Sequence, residues 1–239
     1  MKLVSYHERI CNLGDALQTI SLEDFINKSN YDIKINGYVD RADMSKETNM
    51  IVNGWHRHPG HDFPTKSMFI GVHTDSNNIF RTNKFSLFGC RDLFTLNQCK
   101  SIHRKGILSY CSTVTFPYYQ GDRCGELKLY HDNEDKTLYN LTFDEQKQRA
   151  GELLDILKTK ELVYTDRLHI GLSCIALGTP VVITQRPFQK ERYSMFHTVP
   201  QFIGFDKIIT KESGVKEYME QIFIDSFDKI YENFKTLKY

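Results

Sequence analysis

The run from Glu161 to Gln185, ELVYTDRLHIGLSCIALGTPVVITQ, constrains the fold of this chain more than any other segment. Leu162-Val163-Tyr164 reads as a short strand ending at Thr165 and Asp166. Both residue types are favoured helix N-caps, because their side chains accept from the unpaired N–H groups of the first turn. Arg167 and His169 then fall in the opening turn of a helix whose apolar residues, Leu172, Ile175 and Ala176, recur at helical spacing. Gly178-Thr179-Pro180 ends that helix and Val181-Val182-Ile183 opens a second strand. Such a strand–helix–strand unit presents its helix N-terminus at the carboxyl edge of a parallel sheet, where open α/β folds bind ligands. Basic side chains there add to the unpaired N–H groups and the helix dipole, which makes an anion site. The competing reading is that Arg167 pairs with Asp166 or a neighbour and His169 packs in the core, since ion pairs are common near helix ends.

The remaining punctuation predicts an α/β chain with a mostly parallel sheet. Leu3-Val4-Ser5-Tyr6 reads as the first strand, and Leu13, Leu17 and Ile20 mark one face of a helix reaching Phe25. Further strands are expected at Asp32–Ile35, Asn49–Trp55, Met68–Val72 and Phe85–Phe88. Asp92 should cap a helix that runs to His103 and stops before Gly106, followed by a strand from Ile107 to Thr115. The tyrosine-rich span Pro117–Asp135 is the expected crossing between two α/β halves, 1–118 and 119–239, with a short strand Leu127–Tyr130 inside it. A helix from Asp144 to Thr159 precedes the strand–helix–strand unit, and an apolar segment, Phe202–Ile209, follows it. The final helix, from Ser213, carries Met219, Phe223, Phe227, Ile230, Phe234 and Leu237 as an apolar stripe suited to core packing.

Composition excludes several classes of partner. Thirty-one basic residues against 30 acidic ones give no electrostatic case for nucleic acid or an anionic membrane. The six cysteines show no CxxC or other zinc spacing, and reduced, mostly buried thiols in a cytoplasm are expected. With 40% hydrophobic residues the chain can bury a core, and no run approaches the roughly 20 apolar residues of a membrane span. The absence of a signal-length apolar segment at its start also points to the cytoplasm.

TDRLH followed by CIALGTPVV resembles the polysaccharide pyruvyl transferases, which move the enolpyruvyl unit of phosphoenolpyruvate onto sugar hydroxyls. Asn12-Leu13-Gly14-Asp15-Ala16-Leu17-Gln18 is similar to that family's opening NxGDxxQ segment, and Phe88–Ser112, FGCRDLFTLNQCKSIHRKGILSYCS, to its strand–RD–helix–strand segment. The matches follow the family's order, but at 239 residues the chain is shorter than usual members, and Asn53-Gly54-Trp55 stands where many relatives carry a glycine run. The resemblance implies two Rossmann-like halves facing a cleft, a compact GT-B-like fold whose last helix can pack back on the first half. It implies phosphoenolpyruvate as donor substrate, a saccharide acceptor, and neither a metal nor another cofactor; the oligomeric state stays open.

Phosphoenolpyruvate brings a carboxylate and a phosphate, so its site needs several cationic donors, preferably arginine forks. Arg167 and His169 would supply one group and Arg91, after a strand and before a helix, another. A third cation is expected from Arg186, Lys190 or Arg192, with Lys190 favoured by the resemblance. Ketal formation needs a proton delivered to the enol carbon, a role that suits His169. Asp15 is a candidate to bind or deprotonate the acceptor and Asn12 to bind substrate, although Asp15 in a first helical turn is also favoured structurally. The segment WHRHPGHDF carries His56, His58, His61 and Asp62, types that can bind a metal, but its Pro-Gly centre reads as a polar loop at the cleft mouth. Trp55 could stack on a sugar but is expected in the core. A GT-B-type glycosyltransferase using a nucleotide sugar, and a non-catalytic glycan-binding relative, are the alternatives.

Overall fold

The apolar strand runs assemble into two sheets. The computed structural model of the chain describes residues 1–4, 13–39, 49–56, 66–74, 87–131 and 141–237. Strands β1 (Lys2–Val4), β2 (Tyr38–Val39), β3 (Asn49–His56), β4 (Lys66–Thr74), β5 (Phe88–Cys90) and β6 (Gly106–Leu108) form a first sheet in the order β2-β1-β3-β4-β5-β6. Every pairing in it is parallel. β7 (Glu126–Leu129), β8 (Leu162–Thr165) and β9 (Val181–Ile183) pair in parallel in a second sheet, which β10 (Ile208–Ile209) closes antiparallel to β9. The helices are α1 (Leu13–Lys28), α2 (Leu93–Ser101), α3 (Phe143–Lys158), α4 (Leu168–Leu177) and α5 (Val215–Thr236). The fold is mixed α/β with parallel sheets, as the strand–helix alternation predicts. Among the described residues no helix is long and apolar enough to cross a membrane.

Parallel strands covered on both faces read as continuous apolar runs, and Met50, Ile51 and Val52 are all fully buried. One core joins the two sheets: Leu17 and Leu22 of α1, Met68 and Ile70 of β4, Val163 and Ile183 of the second sheet, and Phe223 and Phe227 of α5 belong to it. A smaller core under α2 holds Phe69, Val72, Phe88, Leu96 and Cys99. The last helix lies against the first sheet. Phe25 meets Phe223 and Phe227 edge-on at 5.2 and 5.1 Å, and Ser226 Oγ donates to Leu108 O at 2.8 Å.

Some expected strands are shorter or displaced, each for a local reason. The segment Asp32–Ile35 is not a strand. It runs beside the chain start through Met1 N to Lys34 O (2.7 Å) and Asn36 N to Met1 O (2.9 Å), and Gly37, at φ 135°, separates it from β2. The strand expected from Ile107 to Thr115 stops at Leu108. Tyr110 turns left-handed at φ 54°, and Ser112–Thr115 coils into a 3-10 turn. The apolar segment Phe202–Ile209, for which no element type is expected, pairs only through Ile208 and Ile209, with Gly204 at φ 117° and Asp206 at φ 60° ahead of them.

One irregularity bears on the site. Val52 and Gly54 oppose Phe69 and Val72, and Phe69 and Val72 oppose Phe88 and Cys90, so β4 carries an extra residue against both neighbours. Gly71 takes the left-handed conformation there at φ 65°, and an added Cβ would lie 3.1 Å from Tyr110 O. A bulge offsets the side-chain alternation of everything that follows, His73 included.

Candidate functional site

The first sheet reverses its strand order beside β1, and parallel sheets bind ligands at the carboxyl ends near such a reversal. Trp55 and His56 end β3, His73 and Thr74 end β4, and Arg91 follows β5. From the second sheet, α4 brings its first turn to the same place. Arg91 Nη1 lies 3.5 Å from His169 Nε2, across 78 positions of sequence.

Local chemistry explains how each group is held. Asp92 caps α2, its Oδ1 accepting from Thr95 N at 2.9 Å, as its sequence position predicts. Its other oxygen accepts from His73 Nδ1 at 2.6 Å and faces Arg91 Nε at 3.5 Å. The turn ahead of α4 differs from expectation. Arg167 itself occupies the N-cap position, and its N–H donates to Thr165 Oγ1 at 3.0 Å. Asp166 is not the cap: its carboxylate accepts from His131 N at 2.8 Å and lies 3.7 Å from Arg186 Nε. Two residues of β8–α4 chain are spent closing this turn, so the helix starts later than the caps suggest.

The 3-10 segment Pro187–Thr198 completes the cluster. Tyr193 Oη donates to Asp166 O, and Phe94 N donates to Ser194 Oγ at 3.1 Å, which ties the segment to α4's entry and to α2. Arg192, between these anchors, stacks over Trp55 with its guanidinium 5.0 Å from the ring centre. Trp55 is therefore a half-buried platform for a cation, not a plain core residue. Arg192 is the segment's cation whose charge acts on Arg91 and His169; Lys190, two residues earlier, is exposed. Asp15, in the first turn of α1 and buried, acts on Arg192 with its negative charge.

Burial and like charge set the protonation states. Burial and the neighbouring Arg91 push the Arg192 guanidinium down to about 10, which still leaves it charged at neutral pH. His169 is pushed well below the ordinary histidine range by burial, then by Arg91, Arg192 and His73. A guanidinium only donates, so His169 Nε2 accepts from Arg91. The ring's one proton then sits on Nδ1, which faces Cys111 Sγ at 3.8 Å. That sulfur also accepts from Gln18 Nε2 (3.0 Å) and Thr113 Oγ1 (3.1 Å). Burial lowers His73 as well, against the opposing pull of Asp92. Burial works to raise the Asp92 carboxyl, but His73, Arg91 and the Thr95 N–H outweigh it and hold it low.

Arg91 is fully buried, yet its Nη2, like Arg192 Nε, has no hydrogen-bond partner among the described residues. Native interiors leave few such atoms unsatisfied, and an unmet buried donor calls for an explanation such as a catalytic role or a bound ion. Two guanidinium groups with unspent donors, beside a histidine they keep neutral, have the chemistry to receive a small anion. Arg167 is partly buried at the α4 N-terminus with its Nε enclosed. His56 is buried and bonds Asn53 O through Nε2 at 3.1 Å, while His58, His61, Asp62 and Asn12 lie outside the described residues. Among the described residues no group of three or more His, Cys, Asp or Glu is placed to hold a metal. His73 was not singled out from sequence; its position at the carboxyl end of the Met68–Val72 run was the available signal.

The two neutral histidines predict a pH effect on folding. Each binds a proton more readily in the unfolded chain, near 6.5, than in the folded one. Their contribution to stability is therefore complete above that pH and is lost as the pH falls below it. Urea unfolding should show stability declining from pH 6.5 toward 5 by up to about 1.4 kcal/mol per pH unit for each histidine. The slope should diminish in His169→Gln, and an unchanged slope would mean that His169 is already protonated in the folded chain.

No protein-family model matches the chain. No curated protein matches it either. Among solved structures it is similar to a functionally uncharacterized protein from Klebsiella pneumoniae subsp. pneumoniae, at a TM-score of 0.55 and 14% identity. The likeness covers 84% of this chain and 90% of that one. At that identity it speaks for the α/β fold with parallel sheets alone.

Proposed function

We propose that this chain is a pyruvyl transferase, moving the enolpyruvyl group of phosphoenolpyruvate onto sugar hydroxyls of a glycan or activated-sugar acceptor to form a pyruvate ketal. The observation that carries the reading is the pair of unspent buried donors, Arg91 Nη2 and Arg192 Nε, next to His169. They suit a ligand with two anionic ends, and the resemblance of the TDRLH and GCRD segments favours phosphoenolpyruvate among such ligands. On this reading the halves are arranged in a GT-B-like manner, with the donor gripped from both sides. Arg91 and Arg192 hold it together with Arg167 and the α4 N-terminus. Asp15 steadies Arg192 and serves the acceptor, and the resemblance adds Asn12 and Lys190 as substrate-binding residues.

An arriving anion does more than fill the site. It offsets the positive field that keeps His169 neutral, which raises the histidine's proton affinity. Arg91 Nη1 turns to the ligand, and His169 Nε2 becomes able to carry the proton that goes to the methylene carbon. The acceptor oxygen bonds to the adjacent carbon, phosphate departs, and a second hydroxyl closes the ketal.

The test supplies the purified chain with phosphoenolpyruvate or with nucleotide sugars, and follows phosphate and nucleotide release alongside calorimetry. Phosphoenolpyruvate binding and saccharide-dependent phosphate release are expected. Nucleotide release would assign a glycosyltransferase instead, and glycan binding without turnover of either donor would assign a non-catalytic relative.

A further inference from the structure

We propose that His73, oriented by Asp92, is the general base that takes the proton from the attacking acceptor hydroxyl; the proposal rests on the pyruvyl transfer reading. Three observations carry it. His73 Nδ1 is bound to Asp92 Oδ2 at 2.6 Å, and Asp92 is itself fixed by Thr95 N and by Arg91. An ionised carboxylate only accepts, so the Nδ1 proton belongs to this bond and Nε2 carries the lone pair. His73 Nε2 makes no hydrogen bond among the described residues.

The surroundings set the His73 ring beside the anion cluster. Trp55, the platform under Arg192, lies 6.2 Å from the His73 ring, and Phe94 lies at the same distance. Asp92 and Arg91 from the β5–α2 turn and Arg192 from the 3-10 segment act electrostatically on His73, and His73 acts on His169. A buried, oriented and neutral imidazole is a competent base at neutral pH, and its lowered proton affinity keeps it so. Two histidines then divide the chemistry: one beside the arginines senses the donor, and one held by a carboxylate serves the acceptor.

The protons balance. The first hydroxyl loses its proton to His73 Nε2 as its oxygen bonds to the ketal carbon, while one proton is added to the methylene carbon. The carbon–oxygen bond to phosphate breaks with its electron pair going to phosphate. The departing phosphate takes that first proton from His73, which frees Nε2 to accept the second hydroxyl's proton as the ketal closes. This second proton passes to solvent, from which His169 regains the one given to the methylene carbon, and both histidines are restored.

The experiment compares wild type with His73→Asn and Asp92→Asn. Asparagine at 73 retains a donor near the Nδ1 position, and asparagine at 92 remains a good N-cap, so both variants keep the local bonds. Phosphate release from phosphoenolpyruvate is followed with methyl hexopyranosides as acceptor probes, and phosphoenolpyruvate affinity is measured by calorimetry. His73→Asn should lower kcat by about 10²–10⁴-fold with donor affinity within about twofold. The wild-type acidic limb of kcat from His73 should vanish in the variant's residual activity. Long-range nitrogen NMR of wild type should show His73 protonated on Nδ1 alone at pH 7.

Near-normal kcat in His73→Asn, an acidic limb that persists unchanged, or a proton on Nε2 overturns the proposal while leaving pyruvyl transfer intact. Wild type that neither binds phosphoenolpyruvate nor releases phosphate overturns the transfer reading, and this proposal with it.

Discussion

Arg91→Met should weaken phosphoenolpyruvate binding by about 30- to 5,000-fold, the equivalent of about 2–5 kcal/mol for truncating one side of a desolvated charge pair. Methionine fills most of the arginine's space, so the loss reports the donors and not a cavity. Arg91 is fully buried and holds Nη2 without a partner among the described residues, so a bound anion would gain its whole charge-assisted bond. Lysine should not rescue it, because a point charge cannot span the fork that faces both Asp92 and the ligand. Arg91 and Arg192 act on each other and on His169, so Arg91→Met and Arg192→Met should combine non-additively in a double-mutant cycle. Arg91→Met should also bring the His169 titration back up toward its ordinary value, since one of the charges that depresses it is gone. Calorimetry and histidine NMR titration check both outcomes. Unchanged affinity together with strict additivity would return Arg91 to a structural role, and Arg167→Ala would then test the α4 N-terminus as a site by itself.

His169→Gln should reduce turnover by about 10²–10⁴-fold while changing phosphoenolpyruvate affinity much less. Glutamine keeps a polar contact for Arg91 but cannot carry a transferable proton. The structure adds a condition that the motif does not contain. With its proton on Nδ1 and Nε2 accepting from Arg91, His169 is poorly set to donate before a ligand arrives. Its pKa should therefore rise when phosphoenolpyruvate binds, because the ligand's charge opposes the arginines. Kinetics of the variant measure the first expectation, and NMR titration of wild type with and without ligand measures the second. A variant that turns over normally would make His169 a binding residue only. A pKa that stays low in the complex would assign the proton to another group.

The parts of this protein that were legible in the sequence are those governed by neighbours in the chain. The strand–helix–strand unit, the cap Asp92, the turn at Gly178 and the stripe of α5 follow from apolar period, cap chemistry and glycine at φ 70°. The same logic put Arg91 and His169 at strand and helix ends, where their roles in an anion site could be argued from residue type. What it misjudged were places where a local preference met a tertiary demand. The strand after Ile107 yields at Tyr110, whose left-handed backbone lets its carbonyl meet the bulge at Gly71. Asp166 gave up the cap for His131 and Arg186, residues remote in sequence.

The choice of Arg192 over Lys190 was likewise decided by distant anchors, because Tyr193 and Ser194 bind the α4 entry and α2 and leave Arg192 over Trp55. His73 gains its meaning only when Asp92, 19 residues later, closes on it. By itself the sequence determined the element types, the parallel α/β class and which residues could carry charge to a sheet edge. Only the tertiary structure decided which of those charges share one buried volume. Proximity across 78 residues and the loss of solvent around a guanidinium are properties of the packed chain, not of any window within it.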